Sequence, residues 1–169
     1  MSDTLITVVA IVLAATLIFV VPVMTMADRF DTTSKAEVES LLTDFVEDIR
    51  TTGKITQEKY DKFQENLAAT GYTFGTDMEV KVKDENPGKK TLQTAKDKIG
   101  ENVYYSEYTT QILDELDSKG HKDLKTGDIV LVKVRNTNTT LSQQMKQFMY
   151  KIVGNDDASV VASKAGMVQ

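Results

Sequence analysis

The chain has 169 residues, a formal net charge of −5 and no cysteine. Charged residues make up 27% of the chain and acidic ones are in excess, so we expect no basic surface and no nucleic-acid partner. The lack of cysteine excludes disulfides, thiolate nucleophiles and cysteine metal sites.

The first element is an apolar run from Leu5 to Met26, which contains no charged residue. At ~1.5 Å per residue, a helix of this length reaches about 33 Å and can cross the ~30 Å hydrocarbon layer of a bilayer. The run predicts a single transmembrane anchor over residues 1–27, with the membrane as a partner. Pro22 lies in the last turns, where it can kink the helix without ending it. The residues assigned to the span are Leu5, Val9, Leu13, Leu17, Phe19, Val21 and Met24.

Two other interpretations of this run stay open. A signal peptide needs a basic start and a shorter apolar region, whereas residues 1–4 contain no Lys or Arg. A buried core helix needs other elements to cover it on all sides. The charges do not decide which side of the membrane the rest of the chain occupies, because Arg29 and Lys35 follow the span among acidic residues.

The helical pattern continues after the span. Apolar residues recur at spacings of three, four and seven up to Ile49, and Gly53 supplies a stop. This predicts one helix of about 45 residues, whose residues 28–52 form an amphipathic stalk. The stalk either packs on its own globular domain or forms a coiled-coil seam with another helix. Its expected packing or assembly face comprises Phe30, Val38, Leu42, Phe45 and Ile49.

Residues 53–169 have the size and patterning of one small α+β domain. We expect a sheet of three or slightly more strands, mainly antiparallel, with helices on one side. The predicted elements are a helix from Thr56 to Gly71, a strand through Met78, Val80 and Val82, a turn at Asn86-Pro87-Gly88, an exposed loop from Lys89 to Gly100, a helix through Tyr105, Tyr108, Ile112 and Leu116 that ends at Gly120, a central strand from Ile129 to Val134, a helix from Leu141 to Ile152, and a last strand from Ser159 to Val168.

The sequence offers few residues for chemistry. His121 is the only histidine and lies in a polar stretch that we expect to be an exposed loop. The tyrosines of residues 104–108 are typical of core and rim packing. The acidic turns at residues 84–86 and 155–157 lack the spacing of a calcium loop. We therefore expect no catalytic, cofactor-binding or metal site and no small-molecule substrate, with a tethered hydrolase as the least supported alternative.

Several segments carry a family resemblance. The strand Asp128–Asn136, a short insertion and the closing segment Ala158–Val168, with its terminal Gly166-Met167-Val168, resemble the end of TadE-like minor pilins of tight-adherence (Flp) pilus systems. The segments Asp84–Lys90, Gly100–Tyr105 and Phe148–Asp156 are similar to small membrane-anchored proteins of such systems in Gram-positive anaerobes.

The resemblance implies a type IV pilin-like structural protein with its C-terminal domain outside the membrane. Its partners would be other pilin-like subunits or further copies of itself. Cleaved prepilins carry a basic leader and an early Glu, whereas here no Glu precedes Glu37, so we expect an unprocessed anchored subunit or minor component. The alternative function is a membrane-anchored extracytoplasmic binding or adaptor module of envelope or sporulation machinery.

Overall fold

The computed structural model describes residues 2–84, 104–137 and 161–169. These residues separate into two compact units. The first contains residues 2–36, and the second contains residues 37–84, 104–137 and 161–169.

The longest element is the helix α1, Ser2–Thr52. In its apolar half, the hydroxyl groups of Thr7, Thr16 and Thr25 each donate to the carbonyl four residues earlier, at 2.8–2.9 Å. These bonds satisfy polar atoms that a hydrocarbon environment could not. The helix ends at the predicted stop, because Gly53 adopts a φ of 63° and its N–H donates to the Ile49 carbonyl at 2.9 Å.

The remaining described elements alternate between short strands and helices. In chain order they are β1 (Lys54–Thr56), α2 (Gln57–Ala69), β2 (Phe74–Lys83), β3 (Tyr104–Tyr108), α3 (Thr109–Lys119), β4 (His121–Asp123), β5 (Ile129–Asn136) and β6 (Val161–Met167). A four-stranded sheet has the order β3-β2-β5-β6, and β1 pairs with β4 in a separate ladder. All pairs are antiparallel. The α+β prediction is confirmed.

One face of the sheet forms the core of the second unit. Alternate residues of β2 are buried there, as the alternation through Met78 and Val80 predicted. Alternate residues of β5 are buried on the same face, and β5 lies inside the sheet between β2 and β6, as expected for the central strand. The second half of α1 supplies the opposing apolar stripe, and the ring of Phe45 stacks on that of Phe63 from α2 with centroids 4.4 Å apart. The buried apolar side chains are Val38, Leu42, Phe45, Val46, Ile49, Ile55, Phe63, Leu67, Met78, Val80, Ile112, Leu116, Leu124, Val130, Val132, Val134, Ala162 and Val168.

Two local predictions are wrong. The helical spacing of Tyr105 and Tyr108 with Ile112 predicted a helix, but residues 104–108 form strand β3 and the helix begins at Thr109. Tyrosine fits a pleated surface well, and pairing with β2 overrides the local spacing. The stretch around His121 is strand β4 rather than a loop, because it pairs with β1, a strand too short for a sequence period to detect.

Other predictions concern residues outside those described: the turn at residues 86–88, the loop at 89–100, the helix at 141–152 and the start of the last strand. The described part of that last strand is β6. Thr56 caps α2 at the predicted start of this helix, its hydroxyl accepting from the N–H of Lys59 at 3.3 Å. Gly120 ends α3 with a φ of 75°.

Candidate functional surfaces

The apolar half of α1 is the most exposed hydrophobic surface of the first unit. It is the one helix of the described residues that is long and apolar enough to cross a membrane, and none of its most apolar window is buried. A buried core helix would be covered, so this alternative loses its basis, whereas exposure of the helix does not distinguish a membrane anchor from a signal peptide. Of the residues assigned to the span, Leu5, Val9, Leu13, Leu17, Phe19 and Val21 are between 50% and 74% exposed, and Met24 is half-buried.

The face predicted for packing or assembly lies mostly in the core of its own chain. Val38, Leu42, Phe45 and Ile49 are buried in the second unit. Phe30 belongs to the first unit and is 55% exposed. The amphipathic stripe is therefore used within the chain, as the first of its two interpretations proposed.

A buried lysine joins three elements of the second unit. Lys122 of β4 is 6% exposed, and its Nζ contacts a carboxylate oxygen of Glu107 on β3 and, at 2.7 Å, one of Glu115 on α3. Glu115 also accepts from Lys119 at 2.7 Å. No sequence pattern marked this cluster, because Lys122 lies in a uniformly polar stretch.

The cluster shifts the pKa of both kinds of group. Hydrogen bonds from Lys119 and then Lys122 lower the pKa of Glu115 to about 2. Burial opposes the charged form of Lys122, but its hydrogen bonds to Glu107 and Glu115 outweigh that effect and its pKa is raised. The charges are mutually satisfied, so the cluster holds β3, β4 and α3 together rather than offering a reactive group.

The solvent face of the sheet carries an open depression beside Tyr108 and Leu131. The acidic side chains that line it interact with neighbouring residues of the sheet. Asp77 pairs with Arg135 at 2.5 Å, and Glu79 accepts from the Ser106 hydroxyl at 2.7 Å. This pairing is typical of a solvated sheet face rather than of a site that positions a substrate.

His121, the first residue of β4, is partly exposed and lies among polar groups close to it in the sequence. Its Nδ1 is 3.1 Å from the Lys119 carbonyl, and its Nε2 is 3.5 Å from an Asp123 carboxylate oxygen. The described residues contain no group of three or more His, Asp or Glu side chains that could hold a metal ion. The two acidic turns considered as calcium ligands lie largely outside the described ranges.

No protein-family model, curated protein or solved structure matches this chain. Function therefore has to be inferred from the chain's own geometry.

Proposed function

We propose that this chain is a single-pass membrane-anchored structural protein, a pilin-like subunit or assembly component of a tight-adherence-type pilus or surface apparatus. Its C-terminal domain lies outside the membrane, and it acts by association with other subunits or with itself rather than by catalysis. Residues 1–27 serve as the anchor.

The proposal rests on the different environments of the two halves of α1. One helix presents an exposed apolar surface in its first half and supplies the core stripe of an antiparallel sheet in its second half. The first half has no polar face to meet water, and its threonine hydroxyls are bonded to its own carbonyl groups. Such a surface is stable in lipid or against the apolar helices of neighbouring subunits.

The polar groups of the second unit also support a structural role. The buried charges at Lys122 are neutralised by two carboxylates, and the acidic residues of the sheet depression are paired or hydrogen-bonded. An active site commonly leaves groups with perturbed pKa values facing a cleft. Here the lowered pKa of Glu115 arises from a structural ion cluster.

Membrane sidedness tests the proposal directly. The chain has no native cysteine, so single variants Ser118→Cys on α3 and Thr4→Cys near the amino end are clean probes. Both positions are exposed. A membrane-impermeant maleimide added to intact cells is expected to label Ser118→Cys and to reach Thr4→Cys only after lysis.

The reversed labelling pattern would place the domain in the cytoplasm and favour an inner-face adaptor instead. Release of a shortened Ser118→Cys chain into the medium would show that the first segment is a cleaved signal peptide. Either result overturns the anchored, outward-facing subunit.

A further inference from the structure

The four-stranded sheet has two outer strands whose exposed edges differ in character. Within the described residues, β6 pairs only with β5, and β3 pairs only with β2. Adjacent strands are antiparallel throughout, so β3 and β6 run in opposite directions. An unpaired strand edge presents backbone N–H and C=O groups that can accept another strand.

The contacts at the end of β6 identify which of its backbone groups point away from the sheet. Val168 bonds toward β5, donating to the Asp128 carbonyl at 2.8 Å and accepting from the Gly127 N–H at 3.0 Å. Because strand groups alternate in direction, the N–H and C=O of Val161, Ser163 and Ala165 face outward.

At the carboxyl end of β6, residues of α1 occupy the outward backbone groups. The Nε of Arg50 donates to the Met167 carbonyl at 2.9 Å, and the N–H of Gln169 donates to the Arg50 carbonyl at 3.3 Å. The open part of this edge therefore stops at Ala165.

The same reasoning locates the open groups of β3. Met78 on β2 faces β3, because its N–H donates to the Thr109 hydroxyl at 2.7 Å. Because backbone groups alternate in direction along a strand, the N–H and C=O of Val80 and Val82 also point toward β3, where their register partners are Glu107 and Tyr105. The backbone groups of Tyr104, Ser106 and Tyr108 therefore point outward. Of these, the Tyr108 N–H is already bonded to the Gln111 side chain at 3.0 Å.

We propose that a second copy of this chain continues the sheet, with its β3 pairing antiparallel to β6 of the first copy. In the proposed register, Ser163 lies opposite Ser106 of the second copy and Ala165 lies opposite its Tyr104. All three outward residues of each edge are then paired. This inference rests on the proposed function, because it assumes that every copy is anchored in one membrane by its N-terminal helix.

The anchor favours this pairing over the pairing of β6 with itself. Within the second unit α1 runs alongside β6 in the same direction, since Glu39 and Thr43 border Ala162–Lys164 while Arg50 reaches Met167. Two copies joined β6 to β6 in one antiparallel sheet would have opposed α1 directions, with residue 37 at opposite ends. Pairing β6 with β3 keeps every α1 in the same direction and repeats from copy to copy, as a ring or filament requires.

The side chains of the two edges are complementary. The β6 edge carries small residues, including Ala162, Ser163 and Ala165, whereas Tyr105 and Tyr108 of β3 are 50% and 59% exposed. In the proposed register, Tyr104 of the second copy lies directly opposite Ala165, while its Tyr105 and Tyr108 are diagonal to Ala162 and Ser163. These small neighbours leave room for the rings at the contact. In this register, Lys164 is also a diagonal neighbour of Glu107 in the second copy, whose carboxylate pairs with Lys122 of its own chain, so the contact places a second cation beside that carboxylate.

Cysteine cross-linking tests this contact. Directly opposed residues of an antiparallel pair have Cβ atoms about 4.5–5.5 Å apart, close to disulfide geometry. A chain carrying both Ser163→Cys and Ser106→Cys, oxidised in isolated membranes, is expected to form a ladder of dimers, trimers and longer species. Chains carrying one substitution each, with different tags, are expected to cross-link to one another when expressed together and not to themselves.

A backbone variant provides a matched control. The N–H of Ser163 faces outward, so Ser163→Pro removes a donor that the chain's own sheet does not use. In a chain with Ala165→Cys and Tyr104→Cys, Ser163→Pro is expected to abolish the ladder, whereas Ser163→Ala is expected to preserve it. Circular dichroism of both variants checks that the fold is retained.

Cross-linking of the Ser163→Cys chain with itself would overturn the proposal in favour of a β6 to β6 pair. A lack of mixed cross-links, with folded protein in the membrane, would overturn the contact altogether. Because isolated membranes expose both sides, the cross-linking result does not depend on sidedness, whereas maleimide labelling at Ser118 does. Failure of the sheet contact and failure of the outward-facing anchor are thus distinguishable.

Discussion

Gly166 shows how one residue connects the long helix to the edge strand. A Cβ at this position would lie 2.1 Å from the Cδ of Arg50. The missing side chain lets Arg50 cross β6, bond the Met167 carbonyl and pair with Glu47 at 2.7 Å. The sequence marked Gly166 only as part of a terminal motif, and its role appears when the helix lies over the strand.

Asp128 has a comparable structural role at a turn. Its side chain is buried, and its two carboxylate oxygens accept from the backbone N–H groups of Lys83 at 2.9 Å and Lys125 at 2.8 Å. A buried carboxylate that is hydrogen-bonded in this way joins the end of β2 to the start of β5. No local pattern indicates the contact with Lys83, because Lys83 is distant along the chain.

At the residue scale, we predict that the ion cluster makes stability depend on acid. The pKa of Glu115 falls from its ordinary 4.5 to about 2 in the folded chain. Its stabilising contribution is therefore complete above pH 4.5 and lost as the pH falls toward 2. Thermal unfolding in detergent, followed by circular dichroism across this range, is expected to show a smaller pH dependence for Glu115→Gln than for the unaltered chain.

The matched control for that measurement is Asp117→Asn on the exposed side of the same helix. It changes the same net charge without touching Lys122, so its acid profile should follow that of the unaltered chain. An equal flattening in both variants would show that the dependence arises from overall charge rather than from the cluster.

For the second half of α1, the periodicity of the sequence predicts an apolar stripe but not what the stripe packs against. The spacing of Val38, Leu42, Phe45 and Ile49 predicted an apolar stripe, and the structure buries all four. Periodicity cannot tell whether such a stripe faces its own sheet or another subunit, because both environments exclude water equally. The tertiary contacts show that the stripe packs in the core of its own chain.

This location predicts a stability effect for Leu42→Ala. The side chain is 2% exposed, so its truncation should lower the free energy of unfolding by about 2–5 kcal/mol. Denaturant unfolding followed by tyrosine fluorescence measures the change in the detergent-solubilised chain. Asp44→Ala, at an exposed position two residues on, should leave stability nearly unchanged. Unaltered stability of Leu42→Ala would mean that this face is not part of the core.

Strand β3 illustrates the opposite case, in which local spacing misled. Tyr105 and Tyr108 continue the helical spacing of Ile112 and Leu116, yet the two halves of the segment belong to different elements. The boundary at Thr109 depends on the Met78 backbone, which bonds the Thr109 hydroxyl from β2. A pairing partner so far away in sequence leaves no local period.

At the scale of the whole molecule, the described core lies entirely beyond the anchor. Every buried apolar residue among those described lies at or after Val38. A chain lacking residues 1–27 is therefore expected to remain in solution without detergent and to melt at nearly the temperature of the full chain. Sedimentation and thermal circular dichroism measure both properties.

A longer deletion, of residues 1–42, is the informative comparison. It removes Val38 and Leu42 from the core, so its melting temperature should fall clearly below that of the shorter deletion. Aggregation or unfolding after the loss of residues 1–27 alone would show that the anchor contributes to the domain's stability.

Elements with local signals can be predicted from the amino-acid sequence alone. Composition and period within one segment predict the uncharged run of α1, the amphipathic stripe after it, the glycine stops at Gly53 and Gly120, the alternation of β2 and the apolar run of β5. The partner of the stripe, the strand at residues 104–108, the burial of Lys122 and the two sheet edges that no other described residue pairs with emerge only from the tertiary structure. These features depend on groups distant along the chain, and their free energy comes from contacts that exist only after the chain has folded.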